Sequence, residues 1–344
     1  MTEPQDNHIK GASGRVVDAL AKRQRLIHIA ATVFSVFILA LSVVVLVRTF
    51  AALSWGDLRA ALLSTGWDQI SLALLMTSLS YLALTGYDAL ALRQLGLRVP
   101  YGVTALASFT SYSVSFTLGF PLITAGTVRY WIYSQSGLSA GKVASLTIIA
   151  SITFWLGMGL IIGVSLIADP AGVAAINHLK TEANFLLGLG AVSVLAAWLA
   201  WVSVRSRRVH VQGMSLELPG FWLTTGQTAL GVADLCAASA TLFMLLPRGS
   251  GVSFLDFAAT YAFSCLLGIA SNAPGGIGAF EMTMLNSVRA PTTEGMIASL
   301  LLFRVIYYLV PFVLALALLG AYQIMRQWSS LRADMSAGGD DRRD

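Results

Sequence analysis

Apolar residues fill most of the chain in blocks too long and too uniform to be one face of a soluble helix. Blocks at about 27–47, 68–91, 143–167, 184–204, 220–246 and 295–324 each reach the ~20 residues that a helix needs to cross ~30 Å of hydrocarbon, and they predict about six full spans. Two further blocks read differently. The one at about 103–124 is rich in small polar residues (Ser108, Thr110, Ser111, Ser113, Ser115, Thr117, Gly119). It reaches Pro121, and an amphipathic piece follows, Gly126 to Tyr133, before the next span. The other, from Phe254 to Val288, is interrupted by Asn272, Ala273, Pro274, Gly275, Gly276, Ile277, Gly278, Ala279, Phe280 and Glu281. Proline removes a donor and the glycines remove side-chain constraint, so a helix arriving from Phe254 is predicted to break here and restart near Gly278. Glu281 then falls in the restarted first turn.

Charge placement decides what the two unusual blocks do. Lys10, Arg15, Lys22, Arg23 and Arg25 predict a cytoplasmic N-terminus for residues 1–26. If every apolar block crossed, Lys142 and the loop of Arg205, Arg207 and Arg208 would lie outside, against the orientation rule. A block at about 103–141 that dips in and returns moves both inside. The tail at 325–344, with Arg326 and Arg332, is also expected inside, which requires a second dip at about 254–291 from the other face. Val99, Pro100, Tyr101 and Pro121 line up with Val252, Ser253, Phe254 and Pro274 at one constant offset. One residue out of that register, Gly126 meets Gly278 and Arg129 meets Glu281. The expected fold is an all-α polytopic membrane protein, about six spans plus two oppositely oriented re-entrant hairpins in an inverted repeat, the pattern of transporters whose ligand sits at the midplane.

Composition narrows the function classes. The chain is 56% hydrophobic and 11% charged, and its net charge of +5 bears on orientation and gives no case for nucleic acid. Cys236 and Cys265 lie in separate apolar blocks, and His8, His28, His178 and His210 show no ligand spacing, so neither a disulfide, a metal site nor a cofactor is expected. No nucleophile–base grouping and no nucleotide motif is visible, so no catalytic residues are assigned and the chain is not expected to be an enzyme. The first apolar block lacks a small-residue cleavage pattern and is expected to stay as a span.

Charges inside spans cost ~2.5 to 3.5 kcal/mol each on insertion scales, so each needs a partner or a task. The candidates are Asp88, Arg129, Asp234, Asp256, Glu281 and Arg304. For Arg304 and Glu281 two readings stand: an ion pair locking the last span to the second hairpin, or part of a substrate site. Arg129 reads as a cation in the first turn of a restarted helix, where an anion such as phosphate must fill the gap, or as an interfacial arginine beside the aromatic belt of Tyr130, Trp131 and Tyr133. Asp88, five residues before Arg93, reads as an end-of-helix charge in the headgroup zone, Asp256 as an N-terminal helix carboxylate, and Asp234 as facing the protein interior. Tyr112, Tyr261, Tyr307 and Tyr308 either line a polar path or pack.

These residues resemble a known family. TGYDALALR (85–93), SYSVSFTLGFPLITAGTVRYWIYSQSGLS (111–139), the Asp234 span, NAPGGIGAFE (272–281) and FRVIYYLVP (303–311) are together similar to the membrane flippase region of the lysylphosphatidylglycerol synthase family, also called the multiple peptide resistance factor family. The resemblance covers most of 27–324. It implies a lipid translocase of the bacterial inner membrane, both termini cytoplasmic, carrying a phospholipid with an anionic or aminoacylated headgroup. It places a lipid headgroup near Arg129 and Glu281; with the readings above, the expected substrate-binding set is Arg129, Glu281, Arg304, Asp234, Tyr112 and Tyr130, with Gly126, Pro274, Gly275, Gly276 and Gly278 supplying the bends. Full-length members carry a synthase domain after the membrane region. This chain ends in a polar tail, and aminoacyl transfer is not expected of it. The alternative is a non-transporting subunit that presents lipid to a separate synthase or glycosyltransferase. Candidate partners are the bilayer, such an enzyme and a second copy of the chain.

Overall fold

The computed structural model describes residues 55–119, 121–177, 179–204, 208–211, 214–217, 219–271 and 274–340. The polar N-terminal segment, the expected span at 27–47, Arg205, Arg207, Asn272, Ala273 and residues 341–344 lie outside them. The helices are α1 (Trp55–Ser64), α2 (Trp67–Gln94), α3 (Tyr101–Leu118), α4 (Pro121–Tyr133), α5 (Ala140–Ala168), α6 (Pro170–Asn177), α7 (Thr181–Val204), α8 (Phe221–Leu245), α9 (Phe254–Ala270), α10 (Ala279–Ser287), α11 (Thr293–Phe303) and α12 (Val310–Asp340). Among the described residues, five segments are long and apolar enough to cross a membrane: Trp67–Gln94, Ala140–Ala168, Thr181–Val202, Phe221–Leu245 and Thr293–Met325. The chain is an all-α polytopic membrane protein. Its outward leucines, such as Leu75, Leu79 and Leu82 on α2 and Leu186 and Leu187 on α7, suit a lipid surround.

The scaffold is the pair α2 and α8, packed along their length. One stripe of α2, Thr77, Ser80, Leu84, Tyr87 and Ala91, is buried at the spacing of one helix face. At one end the Gln69 side-chain amide donates to the carbonyls of Met244 (2.9 Å) and Leu246 (2.8 Å), where α8 runs out of its own donors. At the other, Gln227 donates to Gln94 at 3.1 Å. Helix α5 crosses α8 backbone on backbone at two glycines: a Cβ added to Gly157 would stand 2.3 Å from the carbonyl carbon of Gly231.

Two helical hairpins are set against this scaffold. Helices α3 and α9 open at Tyr101 and Phe254, the positions matched by the constant offset, and run 18 and 17 residues. Helix α3 ends at Gly119 (φ 81°) and folds back as α4, which opens on Pro121, where a missing N–H costs nothing. The hydroxyls of α3 are mostly satisfied within the helix, Thr110 on Leu106 (2.7 Å), Ser113 on Phe109 (2.7 Å) and Thr117 on Ser113 (3.0 Å), while Ser108 reaches the Leu84 carbonyl of α2 at 2.8 Å. Helix α9 folds back onto α10 through a tight turn, Pro274–Gly276, that lies against the end of α3. The tips of the hairpins therefore meet.

Between α11 and α12 the helix widens to a π turn, Arg304–Leu309. Pro311 is the cause: it has no N–H for the Tyr307 carbonyl and its ring crowds that group. The freed carbonyl is taken by the Tyr81 hydroxyl at 3.2 Å. Three features differ from expectation. Short helices α1 and α6 occupy presumed loops, α12 continues beyond the apolar block to Asp340, and the segment after α7, read as a basic loop, forms a two-stranded antiparallel hairpin, β1 (Arg208–Val211) and β2 (Met214–Glu217), with Arg208 opposite Glu217. Its alternation is only four residues per strand, too short to stand out beside the spans.

Candidate functional site

The break in the second hairpin falls where proline and glycine put it. Helix α9 stops at Ala270, and Gly275, Gly276 and Gly278 take φ of 63°, 64° and 93°, in the left-handed region that a Cβ disfavours. Gly276 also lies on α9, where its own Cβ would come 3.2 Å from the Gly268 Cα. Helix α10 restarts at Ala279, and Glu281 Oε2 accepts the Gly278 N–H at 2.8 Å, closing the first turn. Arg304, projecting from the π turn, holds this break. Its Nε donates to Glu281 Oε1 at 2.6 Å, Nη2 donates to the same oxygen, and Nη1 donates to the Gly275 carbonyl at 2.6 Å. The guanidinium lies over the Tyr308 ring, 4.6 Å from its centre. Of the two readings of Glu281 and Arg304, the ion pair is present, which leaves a part in a substrate site open, and the arginine also satisfies a carbonyl that the broken helix leaves open.

The first hairpin carries a different arrangement from the one expected. Helix α4 begins at Pro121, so Arg129 lies in its third turn, and Gly126 sits inside the helix without a special φ. The free N–H groups that were to make Arg129 an anion site are two turns away. Instead the guanidinium is buried, 1% exposed, and bound to Asp88: Nη2 to Oδ1 at 2.7 Å, Nε to Oδ2 at 3.0 Å. Tyr133 donates to Asp88 Oδ2 at 3.0 Å, and Tyr112 lies under the guanidinium at 4.7 Å. Asp88, read as a headgroup-zone charge, is fully buried. Tyr130 is partly buried in an apolar cluster with Trp131 and lies outside this network. Tyr133, which sequence reasoning passed over for its neighbour, is the residue that completes it.

Asp234 of α8 faces inward as expected and is 3% exposed. Ser80 donates to its Oδ1 at 2.5 Å and Tyr87 to its Oδ2 at 2.9 Å, while Ser80 also bonds the Tyr307 hydroxyl at 2.8 Å. Among the described residues it has no ion-pair partner. Ser80 was not singled out from the sequence, and Tyr87 only as part of the TGYDALALR motif; their seven-residue spacing, two turns on one helix face, is the signal that would have joined them. The carboxylate borders a cavity of about 180 Å³ closed by the hairpin tips: Phe116 from α3, Tyr261 from α9, Gly275 and Gly276 from the turn, Phe280 from α10 and Tyr307 from the π turn. Six of its fifteen lining residues are aromatic, and the rest are small or aliphatic apart from Cys265, one carboxylate and the backbone of the break. Tyr112, whose ring meets Tyr87 edge-on at 6.0 Å, joins this network to the Asp88–Arg129 pair. Of the expected substrate-binding residues, Asp234, Gly275 and Gly276 line the cavity, Glu281 and Arg304 brace it, Arg129 and Tyr112 stand behind it, and Gly126 and Tyr130 are elsewhere.

Comparison with known proteins places this architecture. A family profile described as the lysylphosphatidylglycerol synthase TM region matches residues 32–315. The uncharacterized protein slr0712 of Synechocystis is 28% identical over 274 residues, 79% of this chain and 85% of its own length. Inner membrane protein YbhN of Escherichia coli is 25% identical over 280 residues, 80% of this chain and 87% of its own. Phosphatidylglycerol lysyltransferase of Staphylococcus aureus is 23% identical over 302 residues, 82% of this chain but only 33% of the lysyltransferase.

Proposed function

The chain belongs to the family of the lysylphosphatidylglycerol synthase transmembrane region, and from that premise we propose that it is a lipid translocase, moving a phospholipid with an anionic or aminoacylated headgroup between the leaflets of a bacterial inner membrane. In this reading the hairpins α3–α4 and α9–α10 re-enter the bilayer from opposite faces as an inverted repeat, and both termini are cytoplasmic. The headgroup passes through the cavity at their tips while the acyl chains stay in lipid. The observation that carries the reading is Asp234: a carboxylate enclosed within a span, bordering a cavity and matched, among the described residues, by hydroxyls alone. An enclosed carboxylate without a cation is costly, and a cationic group entering the cavity offsets that cost.

Residue roles follow from the geometry. Asp234 meets the positive part of the guest, and the Gly275–Gly278 backbone lets the tip open. Arg304 and Glu281 hold the tip closed, and Arg304 exchanges Glu281 for the phosphate as the guest arrives. Arg129, matched by Asp88, sets the first hairpin in place and does not touch phosphate. We assign no catalytic residue to the chain. The test is leaflet exposure of labelled phosphatidylglycerol and lysylphosphatidylglycerol in proteoliposomes. Asp234→Asn is expected to slow lysylphosphatidylglycerol, whose lysyl group is the cation that Asp234 meets, at least tenfold, and Glu281→Gln to slow both lipids as much; rates equal to that of the unsubstituted protein overturn the site.

The Staphylococcus relative favours a second reading. Its matched part is a third of a protein named for lysyl transfer, so this membrane unit is also suited to holding lipid for a separate synthase. Co-purification with such an enzyme, and no flipping by the isolated chain, selects that reading.

A further inference from the structure

Where α2 turns into α3 the surface opens into a groove of about 480 Å³, bordered by Arg93, Arg98, Tyr101 and Thr104 over an apolar floor that includes Leu92 and Leu97. It shares no lining residue with the central cavity. Both arginines are exposed, and among the described residues neither has a carboxylate within ion-pair distance. The nearest acid in the chain, Asp88, is enclosed and already held by Arg129 and Tyr133.

An ordinary explanation for arginines here is that they neutralise the carbonyl end of α2. That end is already closed. The Leu95 N–H takes the Ala91 carbonyl, the Gly96 N–H takes that of Arg93, and the Leu97 N–H takes that of Leu92, with Gly96 at φ 65°. Helix α3 on the other wall starts at Tyr101, and Pro100 before it leaves the first turn without a side-chain cap, so it adds positive potential and no acceptor. The groove thus has two guanidinium groups, no acid of its own, and an apolar floor at the end of a membrane span. A free phosphate has no use for the floor, and an apolar ligand has none for the arginines. A phospholipid uses both.

We propose that this groove binds an anionic phospholipid, its phosphate between Arg93 and Arg98 and the first carbons of its acyl chains on Leu92 and Leu97. The site is independent of translocation: it holds a lipid at the membrane surface whether or not the central cavity carries one.

The experiment is lipid retention by the purified full-length chain, read by native mass spectrometry in titrations with phosphatidylglycerol and, separately, phosphatidylcholine. Each arginine near a charged surface contributes about fivefold in affinity, so Arg93→Gln with Arg98→Gln is expected to weaken phosphatidylglycerol binding roughly thirtyfold. The double lysine variant is expected to stay within a few fold of the parent, because it keeps the charge. Both residues are exposed, and an unchanged thermal transition shows that the variants are folded. Equal phosphatidylglycerol retention by the glutamine variant overturns the proposal, as does equal retention of phosphatidylcholine by the parent. Displacement by an equal concentration of glycerophosphoglycerol overturns the lipid assignment in favour of a soluble phosphodiester. No flipping is measured, so failure here leaves the translocase reading where it stood.

Discussion

Arg129 and Asp88 stand 41 residues apart in the chain and 2.7 Å apart in space, enclosed on every side. The second hairpin repeats the arrangement with the charges exchanged: the hairpin arm carries the anion, Glu281, and the neighbouring span carries the cation, Arg304. Each hairpin is thereby tied to a full span by an ion pair, the first buried and the second partly exposed beside the cavity. The buried pair is expected to be structural. Breaking it by Arg129→Ala leaves an uncompensated buried carboxylate and is expected to cost about 3–5 kcal/mol. Asp88→Ala with Arg129→Ala is expected to cost less than the sum of the single changes, because no charge is left alone. Denaturant unfolding of the four proteins in mild detergent checks it.

The pair at the cavity edge is expected to behave differently. Arg304→Lys keeps the charge but loses the fork that reaches Glu281 and the Gly275 carbonyl together. Because the open carbonyl lies on the broken backbone, the effect is local. Hydrogen exchange at the amides of 275–279 is expected to rise at least tenfold, with global stability falling by only about 1–3 kcal/mol.

Helix α5 offers a control that separates crowding from helix propensity. Gly157 presses on the Gly231 backbone, whereas a Cβ at Gly159, in the same helix, meets nothing within 4 Å. Alanine improves helix propensity at both positions. Gly157→Ala is expected to destabilise by about 1–3 kcal/mol as α5 and α8 are forced apart, and Gly159→Ala to be neutral or slightly stabilising. Paired thermal melts decide it.

What the sequence revealed depended on the range of the interaction. Pro274 and the glycines after it act on their own backbone, so the break and the restart at Gly278 were legible without knowing the fold. Tyr101 and Phe254 open matched helices for the same reason. Glu281 and Arg304 were paired because charges inside spans must find partners and these two stood out in apolar surroundings. Asp88 stood among the same candidates but carried no sign of its partner. Five residues before Arg93 it resembles a helix-end charge, and only the return of α4, starting at Pro121 and not at Gly126, brings Arg129 onto it. Ser80, Tyr87 and Tyr133 were illegible for a similar reason. A hydroxyl in a membrane helix usually bonds its own backbone, as the hydroxyls of α3 do, and composition does not tell which ones reach across.

Asp234 makes the sharpest prediction, because stability and function should move in opposite directions. The carboxylate is enclosed and, among the described residues, receives only the hydroxyls of Ser80 and Tyr87, and removing an unmatched buried charge relieves its desolvation cost. Asp234→Asn keeps the shape, and either hydroxyl can rotate from donating to accepting to suit the new amide. The variant is expected to unfold at the same temperature or a few degrees higher while lysylphosphatidylglycerol exposure slows at least tenfold. Tyr87→Phe gives the contrast. It removes one donor and leaves the charge, so stability is expected to fall by about 1–3 kcal/mol and the transport defect to be smaller than that of Asp234→Asn. If Asp234→Asn were instead destabilised as much as Tyr87→Phe, the carboxylate would be a structural hydrogen-bond acceptor, and the cavity would lose the group proposed to meet its guest.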